Sequence, residues 1–230
     1  MTEVNYLESL NPLQYESVCS TEGPNLIIAG AGTGKTKVLT TRVAHIIDNN
    51  LAFPSQILCV TFTNKAAREM SERVQKLVSQ NMEKMPWMGT FHSIGAKIIR
   101  NHAEVIGLKQ SFTILDKDDQ LSLIKQIIKA ENLDQSQFSP KLIQSKIDHW
   151  KNKALNPNDI KSESLDNLVD EKSLSIYKIY QARLFEINCL DFGDLLLQCI
   201  NLFKVTDIHK RYSNNFKYIH VDEYLSLIHI

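Results

Sequence analysis

Cysteine is scarce in this sequence, and its surroundings give it no task. The four residues, Cys19, Cys59, Cys189 and Cys199, form no Cys-x-x-Cys pair and have no histidine at zinc-finger spacing. Neither a disulfide framework nor a structural metal site organises the chain, which fits a reducing cytoplasm. Long apolar runs are missing too, none approaching the roughly 18 residues of a membrane-spanning helix. The opening Met1-Thr-Glu-Val-Asn-Tyr6 lacks the cationic start and apolar core of a signal peptide, so a cytoplasmic protein with no membrane partner is expected. An excess of charge is the third absence: 26 basic residues balance 26 acidic ones. Any surface for nucleic acid must then be a local basic patch.

With 43% hydrophobic and 23% charged residues, the 230-residue chain has the apolar mass for one or two globular domains. Its most informative stretch is Leu26-Ile-Ile-Ala-Gly-Ala-Gly-Thr-Gly-Lys-Thr36, an apolar run, a glycine-rich turn, then Lys-Thr opening a helical pattern. This is the form of a phosphate-binding loop over Ala29, Gly30, Ala31, Gly32, Thr33, Gly34, Lys35 and Thr36. The glycines let backbone N–H groups converge on phosphate oxygens at a helix N-terminus. Lys35 is expected to reach the β- and γ-phosphates of ATP, and Thr36 to bind Mg²⁺. Ala29 stands where the pattern has its first glycine. A glycine-rich loop without a ligand is the alternative, and the strand-like run and helix flanking it weigh against that.

Upstream, Asn11 caps and Pro12 opens a short helix carrying Gln14. Its amide suits the N6 and N7 edge of adenine, although a solvated helix residue would look the same. After Thr36, Val38, Leu39, Val43, Ile46 and Ile47 follow one helical face, and Asp48-Asn-Asn50 ends it. Ile57–Phe62 is apolar and β-branched enough for a buried parallel strand. Thr63-Asn64 then caps a helix with Ala66, Ala67, Met70, Val74, Leu77 and Val78 inward. Trp87–Phe91 is a third strand candidate, leading into a helix with Ile94, Ile98 and Ile99. Alternating strands and helices with short links predict a parallel α/β sheet, with ligands beyond the C-terminal strand ends.

From about residue 105 the pattern becomes mainly helical. Expected inward residues are Leu121, Ile124, Ile127 and Ile128, then Leu142, Ile143, Ile147 and Trp150. Further on they are Tyr177, Tyr180, Leu184 and Ile187, then Leu195, Leu196, Cys199 and Phe203. The Lys-, Glu- and Asp-rich faces read as solvated. Tyr218–Val221 returns to strand-like sequence and ends in Asp222-Glu223. Beside a phosphate loop, such an Asp orders Mg²⁺ and the Glu polarises a water for attack on the γ-phosphate.

Assembled, these residues resemble the N-terminal part of UvrD/Rep/PcrA-type superfamily 1 DNA helicases, in order from about Tyr6 to Tyr224. Leu10–Gln14 is similar to the family's Q motif and Ala29–Thr36 to motif I. Val60-Thr-Phe-Thr-Asn-Lys-Ala-Ala-Arg-Glu-Met70 closely matches motif Ia, and Gly89-Thr-Phe-His-Ser93 the next one. Asp191-Phe-Gly-Asp-Leu-Leu196 resembles a further segment, and Val221-Asp-Glu-Tyr224 opens motif II. The resemblance implies an α/β RecA-like P-loop sheet, domain 1A, over 1–105 and 206–224, with the helical domain 1B inserted over 106–205. It implies ATP-driven 3′-to-5′ translocation on single-stranded DNA and unwinding at single-strand/duplex junctions. Lys35 and Glu223 are then the catalytic residues and Thr36 and Asp222 the Mg²⁺ ligands. On the DNA track, Phe62 can stack on a base, while Thr61, Asn64, Thr90 and His92 can bond phosphate or sugar. Phe62 as a core residue and His92 as a helix cap remain open readings. Lys65, Arg68 and Arg73 form a basic patch that Glu69 and Glu72 partly cancel.

The family continues past motif II's aromatic residue with Gln-Asp, whereas Leu225-Ser-Leu-Ile-His-Ile230 follows here. The expectation is a non-native tail over 225–230, of the kind an in-frame sequencing adapter leaves, on a truncated fragment without its second RecA-like domain. Related readings are the helicase part of a RecB/AddA-like helicase–nuclease or a non-catalytic ATP- or DNA-binding module. A small-molecule P-loop kinase would leave Thr61–Met70 unexplained.

Overall fold

Several helices begin where the sequence supplies a side-chain cap or an N-terminal proline. A computed structural model describes residues 6–30, 32–78, 85–161 and 168–223. Helix α1, Pro12–Cys19, starts with proline at its first position and a reciprocal capping box between Asn11 and Gln14. Helix α2, Lys35–Asp48, follows Gly34 and closes on Asn49. Thr63 accepts the Ala66 N–H to start α3, Asn64–Leu77. Asp116 accepts two N–H groups at the head of α5, Lys117–Ala130, and Pro140 opens α6, Pro140–Asn152. Strand β1 is Ile57–Thr61 and β2 is Met88–Thr90, with α4, Phe91–Asn101, directly after it.

Contacts divide the chain into two units, one of Met1–Ile94 with Lys210–Ile230, the other Gly95–His209. In the first, β2, β1 and β5 (Tyr218–Val221) form a parallel sheet in the order β2-β1-β5. Its core joins Val43, Ala44 and Ile46 of α2 to Ile57 and Cys59 of β1, Met70 and Val74 on α3's inner face, and Val78 just after that helix. Trp87 packs edge-on against Tyr212 and Phe216.

The expected strand before the glycine-rich loop does not form. Residues 26–29 pair with no strand, and Leu26 and Ile28 are 76% and 90% exposed. An apolar run becomes a strand only when a ladder partner and a covered face are supplied. Among the described residues, β5 pairs with β1 alone.

The second unit holds α5, α6, α7 (Leu168–Glu186) and α8 (Phe192–Phe203), with α9, Thr206–Asn215, running across its boundary. Ile124, Ile127 and Ile128 meet Ile143, Ile147, Tyr177, Tyr180 and Leu184 in its core. Two expected inward residues turn out: Leu142 and Ile187 lie on the surface, at the edges of otherwise buried stripes. A parallel pair, β3 (Thr113–Leu115) with β4 (Cys189–Asp191), was not anticipated. Three residues are too few to show a strand period.

Candidate nucleotide-binding site

Parallel pairing brings the C-terminal strand ends of the first unit to one edge. Thr61 lies opposite Thr90, Val60 opposite Val221, and the Asp222 N–H donates to the Val60 carbonyl at 2.9 Å. Asp222 and Glu223 therefore share an edge with Thr61 and Thr90 of the other two strands.

The loop is held by its own polar groups. Gly34, at φ 92°, turns the chain into α2 and serves as an N-cap without any side-chain bond. The first turn of α2 carries Lys35 and no acid, leaving N–H groups and the positive end of the helix dipole for an anion. The Thr33 hydroxyl donates to the Gly30 carbonyl at 2.7 Å, and Lys35 Nζ donates to the same oxygen at 3.2 Å. From α1, Gln14 Nε2 donates to the Thr33 carbonyl at 3.1 Å, while its Oε1 accepts the Asn11 N–H. Gln14 is thus anchored to both the loop and its own helix start. Thr36 is half-buried, with its carbonyl accepting the Thr40 hydroxyl at 2.9 Å, and Ala29 is half-buried beside the exposed Gly30. Ala31 and Tyr224, with the tail 225–230, lie outside the described residues.

Lys35 Nζ lies 3.9 Å from Glu223 Oε1, joining the loop to the acidic strand end. Burial raises the half-buried Asp222 carboxyl above the usual range and the Glu223 charge adds to this, with Lys35 opposing. Glu223 itself sits at φ 56°, a region uncommon for residues other than glycine. Among the described residues no three His, Cys, Asp or Glu side chains group to hold a metal ion. A single carboxylate with a hydroxyl is instead the sparse donor set Mg²⁺ takes alongside phosphate and water oxygens.

Sequence reasoning missed two buried groups behind this edge. Arg42 lies on the buried face of α2, and its guanidinium donates to the Ser17 carbonyl. On β5, burial, with the Arg42 charge, pushes the His220 imidazole down to about 4, and its Nε2 has no partner among the described residues. The one available signal was a charge four residues after Val38, on an apolar stripe.

The residues considered for DNA contact divide. Phe62 is 55% exposed, so it is not a core residue, and Asn64 is exposed at the first turn of α3. Thr61 is fully buried and donates to the Thr63 carbonyl at 3.0 Å. Buried Thr90 accepts the Ser93 N–H at 3.2 Å while its own N–H donates to Ser93 Oγ at 2.9 Å. Both hydroxyls hold the turns after β1 and β2 rather than facing solvent. His92 is half-buried and its ring lies below the ordinary histidine range because of that burial. Glu69 approaches both Lys65, at 3.9 Å, and Arg73, at 3.8 Å, so much of the basic patch is neutralised in place.

The sequence profile of the UvrD/REP helicase N-terminal domain matches residues 10–227. Among curated proteins, ATP-dependent DNA helicase PcrA of Staphylococcus aureus is 46% identical over 219 residues, 95% of this chain and 30% of its own length. The PcrA proteins of Leuconostoc citreum and Staphylococcus epidermidis are each 44% identical, over 216 and 219 residues. The chain thus spans about 30% of the length of the relatives it matches.

Proposed function

The chain belongs to the UvrD/REP helicase N-terminal domain family, and from that premise we propose that it is the nucleotide-binding front part of an ATP-dependent DNA helicase. The motor moves 3′ to 5′ on single-stranded DNA and separates strands at duplex junctions in the cytoplasm, in DNA repair or replication. Residues 1–105 and 206–224 form its RecA-like domain 1A, and 106–205 its helical domain 1B. One observation carries the reading: the Lys35 ammonium stands 3.9 Å from the Glu223 carboxylate, although loop and acid lie near opposite ends of the chain.

In this reading the N–H groups at the head of α2 and Lys35 hold the β- and γ-phosphates. Gln14 reads the adenine edge while bracing the loop at Thr33. Glu223 orients and deprotonates the attacking water. Thr36 and Asp222 are the residues that would hold Mg²⁺, which would supply neutralisation of phosphate charge. The raised Asp222 carboxyl is consistent with a position completed by a cation. Phe62, Asn64 and His92 carry single-stranded DNA along the exposed side of the edge, with Thr61 and Thr90 fixing the turns that present them. Turnover in such a motor further draws on arginines from a second RecA-like domain, worth about 10³-fold or more in rate.

Titrating the chain with a fluorescent ATP analogue and Mg²⁺ tests this. Binding is expected, and Lys35→Ala should reduce it at least tenfold, the loss of about 1.4 kcal/mol. Equal affinity in the two proteins would refute the phosphate-loop assignment.

A further inference from the structure

The segment Asp191-Phe-Gly-Asp194 lies in the second unit. There it forms one side of a buried polar cluster. Lys151 of α6 enters with its side chain fully buried, placing Nζ 2.6 Å from Asp191 Oδ2 and 2.8 Å from Asp194 Oδ1. The rings of Tyr177 and Tyr180, from α7, lie 5.7 and 5.2 Å from the ammonium. The Tyr180 hydroxyl donates to Asp191 at 2.9 Å, Gln181 donates to Asp194 at 3.1 Å, and Gln120 of α5 reaches Asp191 at 3.4 Å. The two carboxylates also exchange bonds with each other's N–H groups, forming the capping box of α8. Gly193 leaves room for the lysine stem, since a Cβ there would lie 2.9 Å from Lys151 Cδ. Carboxylate, clearance and cap account for three of the four positions.

The cluster is unbalanced: two buried carboxylates face one ammonium. The other titratable groups turned toward it are Tyr177 and Tyr180, Asp148 through Gln120, and Asp159 beyond Tyr177. All are acidic or neutral. We propose that Asp191 and Asp194 form a lysine socket with one carboxylate in excess, a proton-dependent latch that tightens the helical unit as the medium acidifies from neutral.

Burial pushes the Asp194 carboxyl up to about 6, with Lys151 opposing and Asp191 reinforcing the rise. Burial alone would lower the Lys151 ammonium, but Asp194 and Asp191 override it and raise it, so the lysine keeps its charge. The folded unit therefore takes up a proton on Asp194 at higher pH than the unfolded chain. That contribution is complete below the ordinary carboxylate range and is lost as pH rises through about 6.

The test uses the full chain with Trp87→Phe, which leaves Trp150 as the reporter because the sequence has two tryptophans. Trp150 stacks on Tyr177 in the same unit, with centroids 5.9 Å apart. Melting followed by its fluorescence should fall by about 5 °C between pH 5 and 7 relative to Asp194→Asn, in which the carboxyl no longer titrates. Lys151→Met, which leaves the buried carboxylates without their cation, should melt far below the parent at pH 7 and recover part of the loss at pH 5. Carbon-13 spectra of the parent should show the Asp194 carboxyl titrating near 6. An unchanged pH slope in Asp194→Asn, a parent-like melt of Lys151→Met at pH 7, or a carboxyl midpoint below about 4 would each overturn the latch.

Discussion

Gly34→Ala is the perturbation that most directly examines how the proposed phosphate loop is built. The residue sits at φ 92°, where an L side chain is strained, and a Cβ there would lie 3.1 Å from Gln14 Nε2. The strain costs about 1–2 kcal/mol. The crowding pushes Gln14 off its 3.1 Å bond to the Thr33 carbonyl, a loss of about 1 kcal/mol more. If nucleotide binds only the loop as it stands, these sum to about 2–3 kcal/mol, or roughly 30- to 150-fold in affinity. The assay is equilibrium titration with a fluorescent ATP analogue at fixed Mg²⁺. Gly23→Ala is the control: its φ is 73° with nothing near the added carbon, and it lies outside the loop. It should lose stability and little affinity. Equal affinity in Gly34→Ala and the parent, or equal losses in both variants, would show that the Gln14 brace and the turn at Gly34 do not set the site.

Phe62→Ala with His92→Ala should weaken single-stranded DNA binding by about 1–3 kcal/mol per stacked base while leaving the ATP-analogue titration unchanged. Fluorescence anisotropy of a labelled oligonucleotide reads this, and undiminished DNA affinity would remove both residues from the track. Gly95→Ala probes a close helix approach in the second unit, since its Cβ would lie 2.9 Å from the Leu195 carbonyl oxygen. Overpacking there should cost about 1–3 kcal/mol, visible as a lower denaturation midpoint with unchanged slope. A parent-like midpoint would mean that α4 and α8 can move apart freely.

Charge at the strand edge and charge in the helical unit follow different logic. At the edge, Lys35 and Glu223 are partly exposed and 3.9 Å apart, an arrangement worth little to stability. In the proposed reading its importance is positional, because it sets a cation and an acid where phosphate chemistry would need them. In the helical unit Lys151 is sealed among carboxylates and tyrosines, and removing it would leave their charge uncompensated. One pair stands at the proposed nucleotide site; the other completes the core.

The sequence by itself determined what neighbouring residues decide among themselves. Asn11-Pro12, Thr63, Asp116, Pro140 and Asp191 place helix starts because capping works within three or four residues. Gly34 at positive φ and the family membership belong to the same local alphabet. Tertiary structure decided what depends on a partner far along the chain. Leu26-Ile-Ile28 has the composition of a strand yet leaves Leu26 and Ile28 exposed, because a ladder needs a neighbour and composition cannot supply one. Thr61 and Thr90 look like exposed phosphate donors in the motif and are instead buried turn anchors. Lys151 reads as one more solvated lysine, and only the packing of α6, α7 and α8 makes it the centre of a buried socket. Caps and periods are short-range physics; burial and charge pairing are settled by which distant residues the fold brings together.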